Sequence, residues 1–210
     1  MTLWTFGDSF TEDYREHHGW SKQYIDFKGY TPKSYPQILS EMLDCDLENC
    51  GKGGYDNYSI FESICENAEK FYQGDTIIVN WSDTIRFRLA GMDNQWGRFV
   101  PNNINFDNVP TENVCQRTFE EIIVNRSHEL YVEEVNKWIN LLKVLTREKF
   151  TIIHWTPFDL PSLDAYKFSV NETINKETLG QINDHHYNEK GQVMLAGYLI
   201  GLLRNPKKLI

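Results

Sequence analysis

Three short stretches of this chain carry side chains of the kinds that make and break bonds. Near the start, Gly7-Asp8-Ser9 follows the apolar run Leu3-Trp4-Thr5-Phe6. A serine delivered at a strand end is a candidate nucleophile, because strand ends in open α/β sheets are where ligand crevices form. The triplet alone is also an ordinary turn sequence. A nucleophilic serine needs a base within hydrogen-bond reach, a carboxylate to orient that base, and donors aimed at the developing oxyanion.

The base is sought among six histidines. His154 lies inside the run Phe150 to Trp155, where a satisfied core histidine is expected, and His128 precedes a helical segment. His17 and His18 sit in a polar loop. His185 and His186 fall in Asn183-Asp184-His185-His186-Tyr187-Asn188-Glu189-Lys190-Gly191, a polar turn that feeds the last helix. A carboxylate one or two residues ahead of a histidine can orient its ring. The same residues would also suit helix capping by Asn188 or Asp184 with solvated histidines, and composition does not separate the two. The third stretch is Gly51-Lys52-Gly53-Gly54-Tyr55-Asp56-Asn57. Three glycines in four residues imply positive φ or close approach of the backbone.

The elements that must position these stretches follow from periodicity. Leu3 to Phe6 and Asp46 to Asn49 read as strands, and Thr76 to Trp81 as a β-branched strand of the fully buried type. Phe150 to Trp155 is a further strand and Ser162 to Val170 a short one. Helices are expected over Tyr35 to Leu43, with Pro36 in the first turn and an apolar face of Ile38, Leu39, Met42 and Leu43. Others are expected over Ser59 to Tyr72, Glu129 to Glu148 and Asn188 to Leu203. Thr11 to Lys33 has no clean period and reads as a loop, with a short helical turn as the alternative. Strand and helix in alternation imply a parallel sheet covered on both faces. The expected architecture is a three-layer αβα sandwich with a flavodoxin-like parallel sheet. It forms one domain over residues 1–210 with an irregular insertion at about 84–130.

Bulk properties narrow the function. At 210 residues, 40% hydrophobic and 24% charged, the chain is a globular one with a full core. A net charge of -9 disfavours a nucleic-acid partner. Cys45, Cys50, Cys65 and Cys115 show no zinc-type spacing and read as reduced, mostly buried thiols, so neither metal nor cofactor is expected. No basic-then-apolar leader precedes the first strand, and no apolar run is long enough to cross a membrane. The expected location is cytoplasmic or virion-associated. A flavodoxin-like nucleotide binder is disfavoured, since neither a phosphate-cradling loop nor a dinucleotide fingerprint follows the first strand.

Taken in order, the three stretches resemble the sequence blocks of the SGNH, or GDSL-type, hydrolases. Gly7-Asp8-Ser9-Phe10 is similar to the first block, Asn49-Cys50-Gly51-Lys52-Gly53-Gly54 to the second, and Asp184 to Gly191 to the last. The resemblance spans nearly the whole chain except about 84–130. It implies that Ser9 is the nucleophile, His186 the general base and Asp184 the orienting acid. The family's usual acid position holds Asn183, and His185 is the alternative base. It implies an oxyanion hole of the Ser9 and Gly54 N–H groups and a third donor. The family's third donor is an asparagine, and Ser82 stands in its place within Asn80-Trp81-Ser82-Asp83, with Asn80 or Asn57 as substitutes. Substrate contacts are expected from the insertion, where Trp96, Arg86, Arg88 and Arg98 suit a sugar face and an anionic group. Surface charges balancing the acidic excess would read the same way. The expected activity is ester hydrolysis through an acyl-enzyme, on a small-molecule or glycan ester such as a carbohydrate O-acetyl group. The alternative is a catalytically weak carbohydrate-binding or structural module of an oligomer or larger assembly, such as a virion.

Overall fold

The computed structural model describes residues 1–17, 19–84, 86–90, 96–99, 128–146 and 149–205. The chain opens with β1 (Thr2–Phe6), α1 (Gly19–Lys28), α2 (Tyr35–Leu43), β2 (Asp46–Asn49) and α3 (Asn57–Asn67), which a 3-10 turn extends over Ala68–Lys70. It continues through β3 (Thr76–Asn80), a pair of short strands β4 (Phe87–Ala90) and β5 (Trp96–Phe99), and α4 (His128–Thr146). β6 (Thr151–Thr156), β7 (Tyr166–Lys167), the short α5 (Ile174–Glu177) and α6 (Glu189–Leu203) complete it.

Five strands form a parallel sheet in the order β2-β1-β3-β6-β7. Side chains alternate across a strand, so each strand feeds two cores. Leu3, Ile78, Ile153 and Trp155 pack with Tyr35 and Leu39 of α2 and with Leu195, Leu199 and Leu202 of α6. Trp4, Phe6, Ile77 and Val79 pack on the other face with Ile60 and Ile64 of α3 and Val135, Ile139 and Leu142 of α4. The expected three-layer α/β sandwich with a parallel sheet is the observed architecture. Its order also fixes where a site can lie. From β1 the chain runs to β2 on one side and then crosses to β3 on the other. That reversal leaves a crevice beyond the carboxyl end of β1, where Gly7-Asp8-Ser9 stands.

Several expectations need correction. The segment read as a loop over Thr11 to Lys33 contains the ten-residue α1. Its stability is tertiary: Tyr24 is fully buried against Tyr14, and its hydroxyl donates to Glu177 Oε2 at 2.5 Å. The apolar face expected over Tyr35 to Leu43 is narrower than periodicity suggests, since Met42 is exposed, and the cysteines are less buried than expected, Cys65 being exposed and Cys45 and Cys50 partly so. The third helix passes into its 3-10 turn earlier than expected, and the strand sought over Ser162 to Val170 is two residues long. β4 and β5 pair antiparallel, Phe87 opposite Phe99, within a stretch that shows no period. Four-residue strands are too short to declare one. The rest of the expected insertion, residues 91–95 and 100–127 with Cys115, lies outside the described residues. No helix among the described residues is long and apolar enough to cross a membrane.

Candidate active site

The turn after β1 is shaped by crowding. A Cβ on Gly7 would come within 2.7 Å of Asn80 Cβ, and one on Gly51 within 2.7 Å of Thr11. The Asp8 carbonyl accepts the Thr11 and Glu12 amides at 3.0 and 3.1 Å, closing a tight turn that holds Ser9. The glycine loop after β2 is tied to the same turn. Lys52 N donates to Gly7 O at 3.0 Å, Gly53 N to Glu12 Oε2 at 3.1 Å, and Asn49 Nδ2 to Thr11 O at 3.0 Å. Only Gly54 of the three glycines has positive φ, at 78°. A Cβ there would meet nothing within 4 Å, so backbone conformation and not crowding calls for glycine.

The histidine arrives from the far end of the chain. The segment before α6 is clamped to residues 172–175: Ile174 N donates to His186 O at 2.9 Å, Asn175 N to Asp184 O at 2.9 Å, and Asn188 N to Glu172 O at 3.0 Å. Asn188 caps α6 by accepting from Gly191 N at 2.9 Å. Asp184, the other candidate cap, serves the imidazole. Its Oδ1 accepts from the His186 amide at 2.7 Å and lies 2.6 Å from His186 Nδ1. Across the crevice, His186 Nε2 lies 2.7 Å from Ser9 Oγ. A carboxylate can only accept, so it places the ring proton on Nδ1 and leaves Nε2 free to accept from the serine. Burial opposes ionisation of Asp184, yet hydrogen bonds from the His186 ring and amide and the nearby histidine charges outweigh it and hold the carboxyl below its usual value. His185 and Asn183 are exposed, and Asn183 Oδ1 has Asn175 Nδ2 at 3.5 Å. The structure therefore brings Ser9, His186 and Asp184 together and leaves Asn183 and His185 outside.

Asp8 organises the other side of the crevice. Wholly buried, its Oδ1 accepts from Phe10 N at 3.0 Å and Asn80 Nδ2 at 2.9 Å. Its Oδ2 accepts from Ser82 Oγ at 2.7 Å and Arg86 Nη1 at 2.8 Å. Ser82 was expected to supply an oxyanion donor; a hydroxyl has one proton to donate, and here it points at Asp8. Asn57 is pinned beside it, its amide bridging Ser82 by accepting from the backbone N at 2.7 Å and donating one N–H to the backbone O at 3.0 Å. Arg86, expected to contact substrate, is ion-paired with Asp8. The amides of Ser9 and Gly54 have no acceptor among the described residues. Trp96 lies on β5 and Arg88 and Arg98 face one another in register across the β4–β5 pair. The side chains of that pair are outside the described part.

Sequence reasoning did not single out Phe10. Its ring lies 4.6 Å from that of His186 and 5.8 Å from that of Phe158, propping the imidazole from below. Tyr14 was also passed over: its buried hydroxyl donates to Tyr187 O at 3.0 Å and accepts from Gln192 Nε2 at 3.3 Å. It joins the segment after Ser9 to the histidine segment. Phe10 closes the Gly7-Asp8-Ser9-Phe10 block, whereas Tyr14 has no sequence signal beyond its aromatic type. His154 is buried as expected but only half satisfied: Nδ1 accepts from Trp81 Nε1 at 3.2 Å, and Nε2 has no partner among the described residues. A polar cavity of about 560 Å³ lies beside α6, lined by Lys28, Glu172, Glu177 and Asn188 among others, and no triad side chain lines it.

No protein-family model matches this sequence, and no curated protein matches it significantly. Solved structures do. A carbohydrate esterase, described as having divergent catalytic and non-catalytic binding functions in its active site, is 14% identical over 97% of this chain and 68% of its own, with a TM-score of 0.50. A variant of the acetyl-xylooligosaccharide esterase from Geobacillus stearothermophilus is 14% identical over 95% of this chain and 92% of its own, at 0.48. A member of the lipolytic G-D-S-L family from Veillonella parvula is 14% identical over 97% and 98%, at 0.40. The first of these likenesses is one of fold: an α/β sandwich built on a parallel sheet.

Proposed function

We propose that this protein is a serine esterase. The observation that carries the reading is the hydrogen-bonded line Asp184–His186–Ser9, at 2.6 and 2.7 Å. In the reaction it supports, Ser9 Oγ bonds to the ester carbonyl carbon while its proton passes to His186 Nε2. The carbonyl electron pair moves onto oxygen, where the Ser9 and Gly54 amides receive it. The alcohol oxygen leaves with the proton from Nε2, and an acyl-Ser9 ester remains. Water, deprotonated by the same nitrogen, then attacks that ester and releases the acid and free Ser9. Asp184 keeps the ring in the required tautomer and balances the imidazolium that forms twice in the cycle.

For the substrate, an O-acetyl group on a carbohydrate is our reading. It rests on the aromatic richness of the chain, 14% Phe, Trp and Tyr, since aromatic faces suit sugar rings. The test is a fluorophosphonate probe followed by peptide mass mapping, run beside acetate release from acetylated oligosaccharides. Covalent mass on Ser9, absent from Ser9→Ala, is the expected result. A folded protein that takes no label and releases no acetate would leave only a binding or structural module.

A further inference from the structure

Arg86 is a cation held against the nucleophile's own turn, and the triad does not account for it. Its Nη1 lies 2.8 Å from Asp8 Oδ2, and its side chain is 14% exposed, so it is largely buried yet reaches the surface. Its backbone is fixed at both ends: the N–H donates to Asp83 O at 3.2 Å, and the carbonyl accepts from Tyr131 Oη at 3.2 Å. A guanidinium carries five N–H donors in a rigid planar fork. Among the described residues, Asp8 is the acceptor recorded for them.

We propose that Arg86 is the third donor of the oxyanion site, an inference that rests on the esterase reading. Three observations converge on it. The Ser82 hydroxyl spends its one proton on Asp8, and the buried Asn57 and Asn80 amides each have one N–H tied, to the Ser82 carbonyl and to Asp8. Arg86 shares Asp8 Oδ2 with Ser82, so it stands on the same side of the residue that precedes Ser9. The Asp8–Arg86 pair is neutral as a unit, so it has little to attract an uncharged ester. It presents N–H groups to a charge that exists only once Ser9 has added to the carbonyl. Donors of that kind raise kcat and leave KM nearly alone. Arg86 makes and breaks no covalent bond and acts only as a hydrogen-bond donor.

The test is hydrolysis of p-nitrophenyl acetate by the full chain and by Arg86→Ala, Arg86→Gln and Arg86→Lys, each checked by thermal melting. Arg86→Ala is expected to lower kcat by about 10²–10³ with KM changed by less than about threefold. Millimolar guanidinium should restore about tenfold of the lost rate to that variant and nothing to the parent protein. Arg86→Lys keeps a cation opposite Asp8 and so the fold, but lacks the fork, and falls between. A kcat within about threefold of the parent in the Ala and Gln variants overturns the proposal while the esterase reading stands. If Arg86→Ala does not fold, Arg86→Lys decides, and full activity there overturns the proposal. A loss of rate with a lowered melting point and no guanidinium rescue assigns Arg86 to structure alone. If the parent neither turns over nor labels at Ser9, both readings fall together.

Discussion

Two buried carboxylates flank the crevice, one beside Ser9 in the chain and one beside His186, and they are held in opposite ways. Asp8 gathers donors from three separate segments: the Phe10 amide in its own turn, Asn80 at the end of β3, and Ser82 and Arg86 beyond it. Asp184 takes both its recorded bonds on one oxygen and from one residue, His186. A carboxylate shared by several segments is a joint, and its removal shifts the pieces it joins. A carboxylate serving one imidazole is a handle on that ring's tautomer and charge. The number and origin of the partners, more than burial, separate a structural acid from an orienting one.

The sharpest way to break the contrast is Asp184→Asn. It is expected to lower kcat by about 10³–10⁴, since the ring loses its tautomer control, while the melting temperature stays near that of the parent. More than a tenth of the parent activity on p-nitrophenyl acetate would end the role given to Asp184. Asp8→Asn should instead show in stability. Arg86 is left without its counter-charge, so urea denaturation should report a loss of about 3 kcal/mol. An equally small stability change in both variants would erase the distinction between joint and handle.

Acid separates the carboxylates from a third buried group. Burial, with help from Lys143, pushes His154 down to about 3 from an ordinary 6.5. Above pH 6.5 neither the folded nor the unfolded chain is protonated there, and stability is complete. As the pH falls from 6.5 toward 3, the unfolded chain takes up the proton and the folded one does not, which costs about 1.4 kcal/mol per pH unit, or about 3 kcal/mol by pH 4. Asp184, held below its ordinary 3.8, gives up its contribution only beneath that value. His154→Gln should therefore flatten the stability profile between pH 6.5 and 4, and an unchanged slope would place the acid sensitivity elsewhere. Tyr14→Phe is the smallest perturbation. Losing the bond to Tyr187 O should cost about 1 kcal/mol and lower kcat only severalfold. A collapse of activity would make Tyr14 part of the orienting side.

Much of the fold was legible in the sequence because buried parallel strands write themselves plainly. Thr76-Ile77-Ile78-Val79 has no other comfortable place in a protein, and all of β3 is buried. α1 was missed because its stability comes from Tyr24 and Glu177, 153 positions apart. The ordered blocks led to Ser9, Gly54 and the histidine segment. They did not settle the register, and the choice of Asp184 over Asn183 rests on which side chain turns inward. Ser82 shows the same limit from the other side. Its position after β3 suited a donor, but the residue that receives its proton is 74 positions away.

Ser9 and His186, bonded at 2.7 Å, are 177 residues apart in the chain. Their contact cannot form by any local folding event, because β1 must already be flanked by β2 and β3 and the segment carrying His186 must have docked on residues 172–175. Contacts of such separation come late and slowly. On refolding, helix content and core burial should return first and ester turnover last. The hydrogen bond between these two residues is thus a clock for the completion of the whole chain, and an enzyme assay would read it at concentrations where spectroscopy sees nothing.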